Sequence, residues 1–208
     1  SFYVVTLRLL HFVQGWVMGL MITAVVTSLA LYLGIYGLRG LPTVLAPRTL
    51  KHGAVLGLLL MLSIAAGHVL AIYELVLSSN GVVFGATYTD INARIPVLWL
   101  LTGIAVLAAI GFAVSSYRGG LRLMVGFFSL WVIVLLLANF AYPALFQRLR
   151  VEPNEFDRET SYIVRNIEAT RAAYQLDQVK EVPYPVGGKL NEQAIQDNRP
   201  TVDNIRLW

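Results

Sequence analysis

Four runs of mainly apolar residues, roughly 9–38, 53–77, 95–117 and 121–146, reach or exceed the about 20 residues that a helix, rising 1.5 Å per residue, needs to cross the hydrocarbon of a bilayer. A segment in that environment must satisfy its own backbone N–H and C=O groups, so it is either a helix or part of a closed barrel. No alternation with period two of the barrel type occurs, which leaves helices. The fold class predicted is therefore an all-α membrane protein. A four-transmembrane-helix bundle is expected over 1–146, followed by a partly helical C-terminal tail, 147–208, that begins an extracytoplasmic soluble domain. The separators suit such an arrangement: "RGLPTVLAPRTLK" carries two prolines and several charges, "YRGGLR" is a tight basic turn, and "SSNGVVFGATYTDINARIP" is long and polar.

Composition agrees, since 13% of the 208 residues are charged against about 25% in an ordinary globular chain. The distribution says more than the total. Residues 1–146 hold seven basic side chains and only two acidic ones, Glu74 and Asp90, whereas 147–208 hold nine basic and ten acidic. Short cytoplasmic loops retain Lys and Arg. The first connection has Arg39, Arg48 and Lys51 and the third has Arg118 and Arg122, against Arg94 alone in the second and Arg8 alone before the first span. The first and third connections are thus expected in the cytoplasm, with the Ser1 end, the "GVVFGATYTD" loop and the tail outside. The basic residues fall in separate short loops, not in a stripe that would read a nucleic acid. With no cysteine, the chain has no thiol chemistry and no disulfide framework.

In the tail, Tyr162, Ile163, Ile167, Thr170 and Tyr174 recur at spacings of three and four, predicting one apolar face of a helix from about Glu155 to Gln175. Asn154 or Asp157 would cap it. Glu155, Asp157 and Glu159 read as a solvated, favourably charged helix start; the glycine and terminal glutamate of a calcium loop are absent. "VPYPVGG" then interrupts the helix. An apolar face of this kind calls for a cover, which implies a larger extracytoplasmic domain.

The polar residues in and near the spans are the candidate site residues. Glu74, near the outer end of the second span, meets the unfavourable end of a helix dipole and needs a cation, with Arg94 or Arg8 the expected partner. A structural ion pair is favoured over a proton relay, because no second intramembrane carboxylate continues one. His68 lies deeper. It is read as a histidine hydrogen-bonded to a neighbouring helix, with a haem or chlorophyll ligand as the alternative and His11 as a second ligand only if the two helices pack together. Gln14 and Asn139 can bond between helices, and Gly15 with Gly19, like Gly53 with Gly57, fit the small-xxx-small spacing of closely packed helices. Asp90 or Asn92 would cap the third span, Pro96 suits its first turn, Gly81 and Gly85 permit turns before it, and Tyr88 suits the interface. Pro143 would kink or end the last span. No cofactor, metal site or catalytic set is predicted: there is no phosphate loop, no HExxH and no nucleophile elbow.

Taken in order, "LRLLHFVQGW", "YELVLSSNGVVFGATYTDINARIP", "YPALFQRLRVEPNEFDRETSYIVRNIEATRAAYQLD" and "TVDNIRLW" resemble an uncharacterised family of large bacterial and cyanobacterial membrane proteins. The resemblance implies about seven N-terminal spans followed by a large extracytoplasmic domain, and places this chain at spans four to seven plus the start of that domain. An opening Ser1 and a C-terminus without a terminating feature fit an internal piece. The function expected is that of a non-enzymatic membrane-anchoring or scaffold component in a plasma or thylakoid membrane. Its expected partners are the lipid bilayer, the remaining parts of the same protein and other membrane subunits. A transporter or channel with Glu74, His68 and Asn139 along its path is the alternative, and an anchor for an extracytoplasmic enzyme is a third.

Overall fold

The computed structural model describes residues 2–38, 46–79, 84–118, 120–180 and 191–205. Most of the first connection, Gly81 and the "VPYPVGG" stretch lie outside the described residues. Every regular element among the described residues is helical. The chain divides into two compact units, 1–168 and 169–208.

The first unit holds four helices long and apolar enough to cross a membrane, α1 (Phe2–Leu38), α2 (Pro47–Leu77), α3 (Asp90–Tyr117) and the run that begins with α4 (121–146). α3 is the hub, packing on α2 along one side and on α4 along another, while α1 leans on α2. Its sequence explains this position. Leu101, Ala105, Ala108, Ala109 and Phe112 recur at helical spacing and are all buried, and with Met61 and Ala65 of α2 and Trp131 of α4 they form the core. Small side chains at a crossing let backbones approach, which matters in lipid because tails are as apolar as the residues they would replace.

The glycines divide accordingly. The ring of Phe112 fills the space that a Cβ on Gly57 would take, and the ring of Phe127 does the same at Gly111. Gly53 has only Met124 near it, at 3.6 Å. Gly15 and Gly19, nominated for close packing, have nothing within 4 Å among the described residues, because that face of α1 is turned away from α2. α1 instead meets α2 at Gln14, whose Nε2 lies against Gly67 and donates to the Ser63 carbonyl at 3.4 Å. Two hydroxyls of α3 are satisfied locally, Thr102 donating to the Leu98 carbonyl and Ser115 to that of Gly111, whereas the buried Ser63 hydroxyl of α2 has no partner among the described residues.

The helices run past the apolar segments that announce them. α2 begins at Pro47, six residues ahead of the predicted span, and the helical path of α3 begins at Tyr88, ahead of the predicted Ile95. α4 does not stop at Phe146. Helical backbone continues through a π turn (Gln147–Val151) and a 3-10 turn (Glu152–Asn154) into α5 (Glu155–Ala173). Asn154 therefore sits inside the helical run instead of capping α5. Pro143 likewise does not end α4; a π turn, Leu135–Ala141, precedes it and relieves the clash between the proline ring and the carbonyl four residues back, that of Asn139.

α5 ends with Gln175 in the left-handed region, φ 56°, a conformation that usually falls to glycine or asparagine at a helix terminus. In the second unit, Arg171 and Asp177 approach to 3.5 Å. Two short helices follow, α6 (Glu192–Asp197) and α7 (Arg199–Val202), neither predicted from the sequence. α6 is capped by Asn191, whose side chain accepts from the Ala194 N–H at 2.7 Å.

The close contact at Gly111 sets a quantitative expectation. Gly111→Ala should force the Phe127 ring aside and cost about 1–3 kcal/mol, as overpacking does, whereas Gly103→Ala, which opens onto empty space on the far side of α3, should be neutral or stabilising. Thermal unfolding of the two variants in one detergent checks the difference; equal melting temperatures would contradict the α3–α4 packing.

Candidate functional site

The most heavily bonded polar constellation is the N-terminal end of α3 with the first half of α5. It starts from a local signal, "TYTD". The Thr87 N–H donates to Asp90 Oδ2 at 3.0 Å and the Asp90 N–H donates to Thr87 Oγ1 at 3.2 Å. This reciprocal pair is a capping box, which satisfies two of the orphan donors of a helix start. Thr87 is the cap, and Asp90 completes it from the third position. Asn92 does not cap α3; its Nδ2 donates back to the Tyr88 carbonyl. Before the box, Gly85 adopts φ 118° and its N–H donates to the Ser78 carbonyl at 2.8 Å, a turn that needs glycine.

Onto this cap folds α5. Glu159 receives the Tyr88 N–H on both carboxylate oxygens, at 3.0 and 3.2 Å, and is only 7% exposed. Arg158 places its guanidinium 5.3 Å from the centre of the Tyr88 ring and donates from Nη1 to the Tyr88 hydroxyl at 3.2 Å. Asn166 donates to the Phe84 carbonyl at 2.8 Å, and Thr89 donates to Gln147 Oε1. The Tyr88 ring stacks on Phe146 at 6.1 Å and meets Tyr162 edge-on at 6.4 Å.

Those two ring contacts fix the path of the chain. Phe146 and Tyr162 are sixteen residues apart, about 24 Å along a straight helix, yet one ring touches both. The helical run must bend between them, and the π turn and the 3-10 turn with Pro153 are where it does so. Val151, wholly buried, sits at that bend.

The electrostatics at the cap are crowded. Asp90 is 1% exposed and pairs with Arg94 at 2.9 Å. Burial pushes the Glu159 carboxyl above the ordinary carboxylate range, the Tyr88 N–H opposes that rise, and the charges of Glu155 and Asp90 add to it. The carboxylate is tolerated because it meets the Tyr88 N–H at the positive end of α3.

The other nominated residues are placed elsewhere. Arg94 is taken by Asp90, and Glu74, exposed, has His11 Nε2 at 3.6 Å as its neighbour in place of Arg94 or Arg8. That is an ion-pair distance, too long for a hydrogen bond. The His68 ring lies 6.2 Å from that of Trp131, and its Nε2 and the Trp131 Nε1 are both buried without a hydrogen-bond partner. α1 and α2 do pack, yet His11 and His68 turn to different neighbours. Asn139 is exposed on the π turn of α4 and does not join His68 or Glu74. No group of three His, Cys, Asp or Glu that could hold a metal ion occurs among the described residues.

Glu159, Arg158, Gln147 and Asn166 were not nominated. A signal existed for one of them: Glu159 precedes Tyr162 and Ile163 by three and four residues, so it shares their face and not the solvated one.

The family model described as "Uncharacterised protein family (UPF0182)" matches residues 1–208, and the chain belongs to that family. Among its relatives, a UPF0182 protein of Cupriavidus necator is 40% identical over 216 residues, covering all of this chain and 23% of the relative. A UPF0182 protein of Synechococcus sp. (strain JA-2-3B'a(2-13)) is 35% identical over 228 residues, covering all of this chain and 27% of the relative. One from Geobacter sp. (strain M21) is 39% identical over 162 residues, 78% of this chain and 18% of the relative. The chain thus spans about a quarter of the length of the curated relatives it matches end to end. No solved structure matches.

The clamp has a mutational signature and a pH signature. Glu159→Ala strands the Tyr88 N–H and should cost about 1–3 kcal/mol, read as one to two orders of magnitude faster exchange of that amide. Glu159→Gln keeps an acceptor without the dehydrated charge and should retain most of the protection. Because docking raises the carboxyl's pKa, the docked form binds a proton more readily than the free tail. Docking should therefore strengthen as pH falls from the raised value to the ordinary carboxylate value, and flatten outside that window, where both forms are equally ionised or equally protonated. The Gln variant should show no such slope once intrinsic exchange rates are corrected for pH; a slope of the opposite sign in the native chain would refute the assignment.

Proposed function

We propose that this UPF0182 chain is a membrane module that anchors and orients an extracytoplasmic domain, as one part of a larger bacterial membrane protein. The observation that carries the reading is the Glu159–Tyr88 clamp, since it ties the first helix beyond the last apolar run to the cap of the bundle's central helix. A mere tether would need only the covalent connection. Here polar, aromatic and cationic contacts hold α5 to the bundle at Tyr88 and Phe84, and the turn that leads into it is held at Thr89 through Gln147.

The docked helix still has apolar surface to offer. Phe156 is 77% exposed and Ile167 half exposed, which supports further protein as the cover of that face. The Lys and Arg count supports a cytoplasmic first and third connection, with the cap of α3 and α5 outside. In this reading partners are further parts of the same polypeptide and other subunits of a plasma or thylakoid membrane assembly.

The absence of cysteine makes the orientation straightforward to test. In intact cells, with any cysteines elsewhere in the full-length protein replaced, Ser79→Cys should react with a membrane-impermeant maleimide, and Lys51→Cys should react only after permeabilisation. The reverse pattern would overturn the orientation. On the same membranes, gentle solubilisation of the full-length protein followed by mass spectrometry should recover stoichiometric partners, and a partner-free monomer would remove the assembly half of the proposal.

A further inference from the structure

The bundle leaves an apolar groove along α2. Between α1 and α4, over the face of α2, lies a cavity of about 620 Å³. It arises because α1 leans on α2 while α4 leans on α3, so none of the described helices covers the strip of α2 between them. The walls are almost entirely apolar, with Leu29, Leu56, Met61, Phe112, Val125 and Phe128 along them. One end is different. There Tyr32 and Tyr36 line the groove beside Thr49, the Tyr32 hydroxyl shares a hydrogen bond with His52 Nδ1 at 3.0 Å, and the Tyr36 hydroxyl accepts the Ala46 N–H at 2.9 Å.

The length of the groove separates its possible occupants. On α1 it runs from Val25 to Tyr36, about 16 Å at 1.5 Å per residue. That is about half of the roughly 30 Å hydrocarbon core. A spanning helix would need a furrow as long as the core is thick. A lipid acyl chain needs one leaflet, starting at a polar rim and ending near the midplane.

The charge at the rim names the headgroup. Arg48 and Lys51 lie in the first turns of α2, Arg122 lies in the first turn of α4, and their sequence neighbours Thr49, Leu50 and Leu121 line the groove. All three basic side chains are exposed. The two acidic residues of 1–146, Glu74 and Asp90, sit at the far end of α2 and the far end of α3, so neither offsets these cations. α2 and α4 also both begin here, presenting the positive ends of two helices. We propose that the groove between α1 and α4 holds one acyl chain of an anionic phospholipid, whose phosphate is received by Arg48, Lys51 and Arg122. The inference rests on the membrane-spanning reading, and adds to it a specific lipid site.

The test uses the full-length protein reconstituted in phosphatidylcholine vesicles, with phosphatidylglycerol or phosphatidylcholine spin-labelled on the acyl chain as the probe. Resistance of the protein to carbonate extraction, measured on the same vesicles, reports membrane insertion separately. A peripheral protein would overturn the spanning reading; an inserted one without the lipid signal overturns only the site. The expected result is a larger motionally restricted fraction for phosphatidylglycerol, at about fivefold preference per cation near the surface. Arg48→Gln with Arg122→Gln should abolish most of the preference while leaving chain restriction in place. Leu56→Trp, which fills the groove, should remove the restricted component for both lipids. Equal restriction of the two lipids by the native protein, or restriction that survives Leu56→Trp, would overturn the proposal. So would cross-linking of a photoreactive residue at Val25 to another protein segment, because that segment would then be the occupant. The arginine pair changes only exposed side chains, so its readout stands even where the tryptophan variant misfolds.

Discussion

The placement of the first half of α5 depends on a carboxylate taken out of water. Glu159 is nearly buried, and a dehydrated charge is stable only where donors replace its hydration. The Tyr88 N–H, shared between the two carboxylate oxygens, supplies such a donor from the first turn of α3. The same turn already carries Asp90 through its capping box, so two acidic groups compete for one positive helix end. Arg94 resolves the competition by taking Asp90, and the Arg158 guanidinium caps the Tyr88 ring from the other side. Remove the cap at Thr87 and the N–H that Glu159 needs is no longer held in place. Several contacts far apart in sequence therefore rest on a four-residue local motif.

Prolines shape the path that brings the two partners together. Pro96, Pro143 and Pro153 each follow a π turn, and each turn includes the residue four positions before the proline, Asn92, Asn139 and Leu149. The reason is steric. Proline has no N–H for that carbonyl, and its ring collides with it, whereas one widened turn displaces the carbonyl without ending the helix. In α4 this keeps a single helical path through the apolar run. At 147–154 the π turn and the 3-10 turn follow each other directly, and the path bends enough for one tyrosine ring to meet Phe146 and Tyr162.

The four long apolar helices were legible because hydropathy over about 20 residues is a strong signal. Their ends were not, since hydropathy marks where hydrocarbon ends and says nothing of where backbone hydrogen bonding stops. "TYTD" carries the true start of α3, seven residues ahead of Ile95, in a stretch polar enough to pass for a loop. Among small residues the glycine pairs drew attention, yet the alanines of α3 at 105, 108 and 109 build the core, and Gly15 and Gly19 face outward from it. Ion-pair expectations failed for a simpler reason: Asp90 lies one helical turn from Arg94, and an i,i+4 neighbour captures a cation ahead of Glu74 on another helix. Glu159 and Tyr88 are separated by 71 residues, and nothing local in a single sequence announces such a pair.

Fixing the direction of α5 on the bundle needs more than one point of attachment. A helix joined to a bundle only through its own backbone can swing about the joint. α5 has two further anchors on the bundle, Glu159 on Tyr88 and Asn166 on Phe84, seven residues or about 10 Å apart along the helix. With the covalent joint at 147–154 these make three points that do not lie on one line, since the bend carries α5 back past Tyr88. Three such points determine a direction as well as a position. Because Tyr88 begins the helix that forms the core of the bundle, the direction of α5 is referred to the bundle's best-packed element. The first half of α5 is thereby referred to the packing of Ala105, Ala108 and Phe112, further along the helix whose first turn it touches at Tyr88.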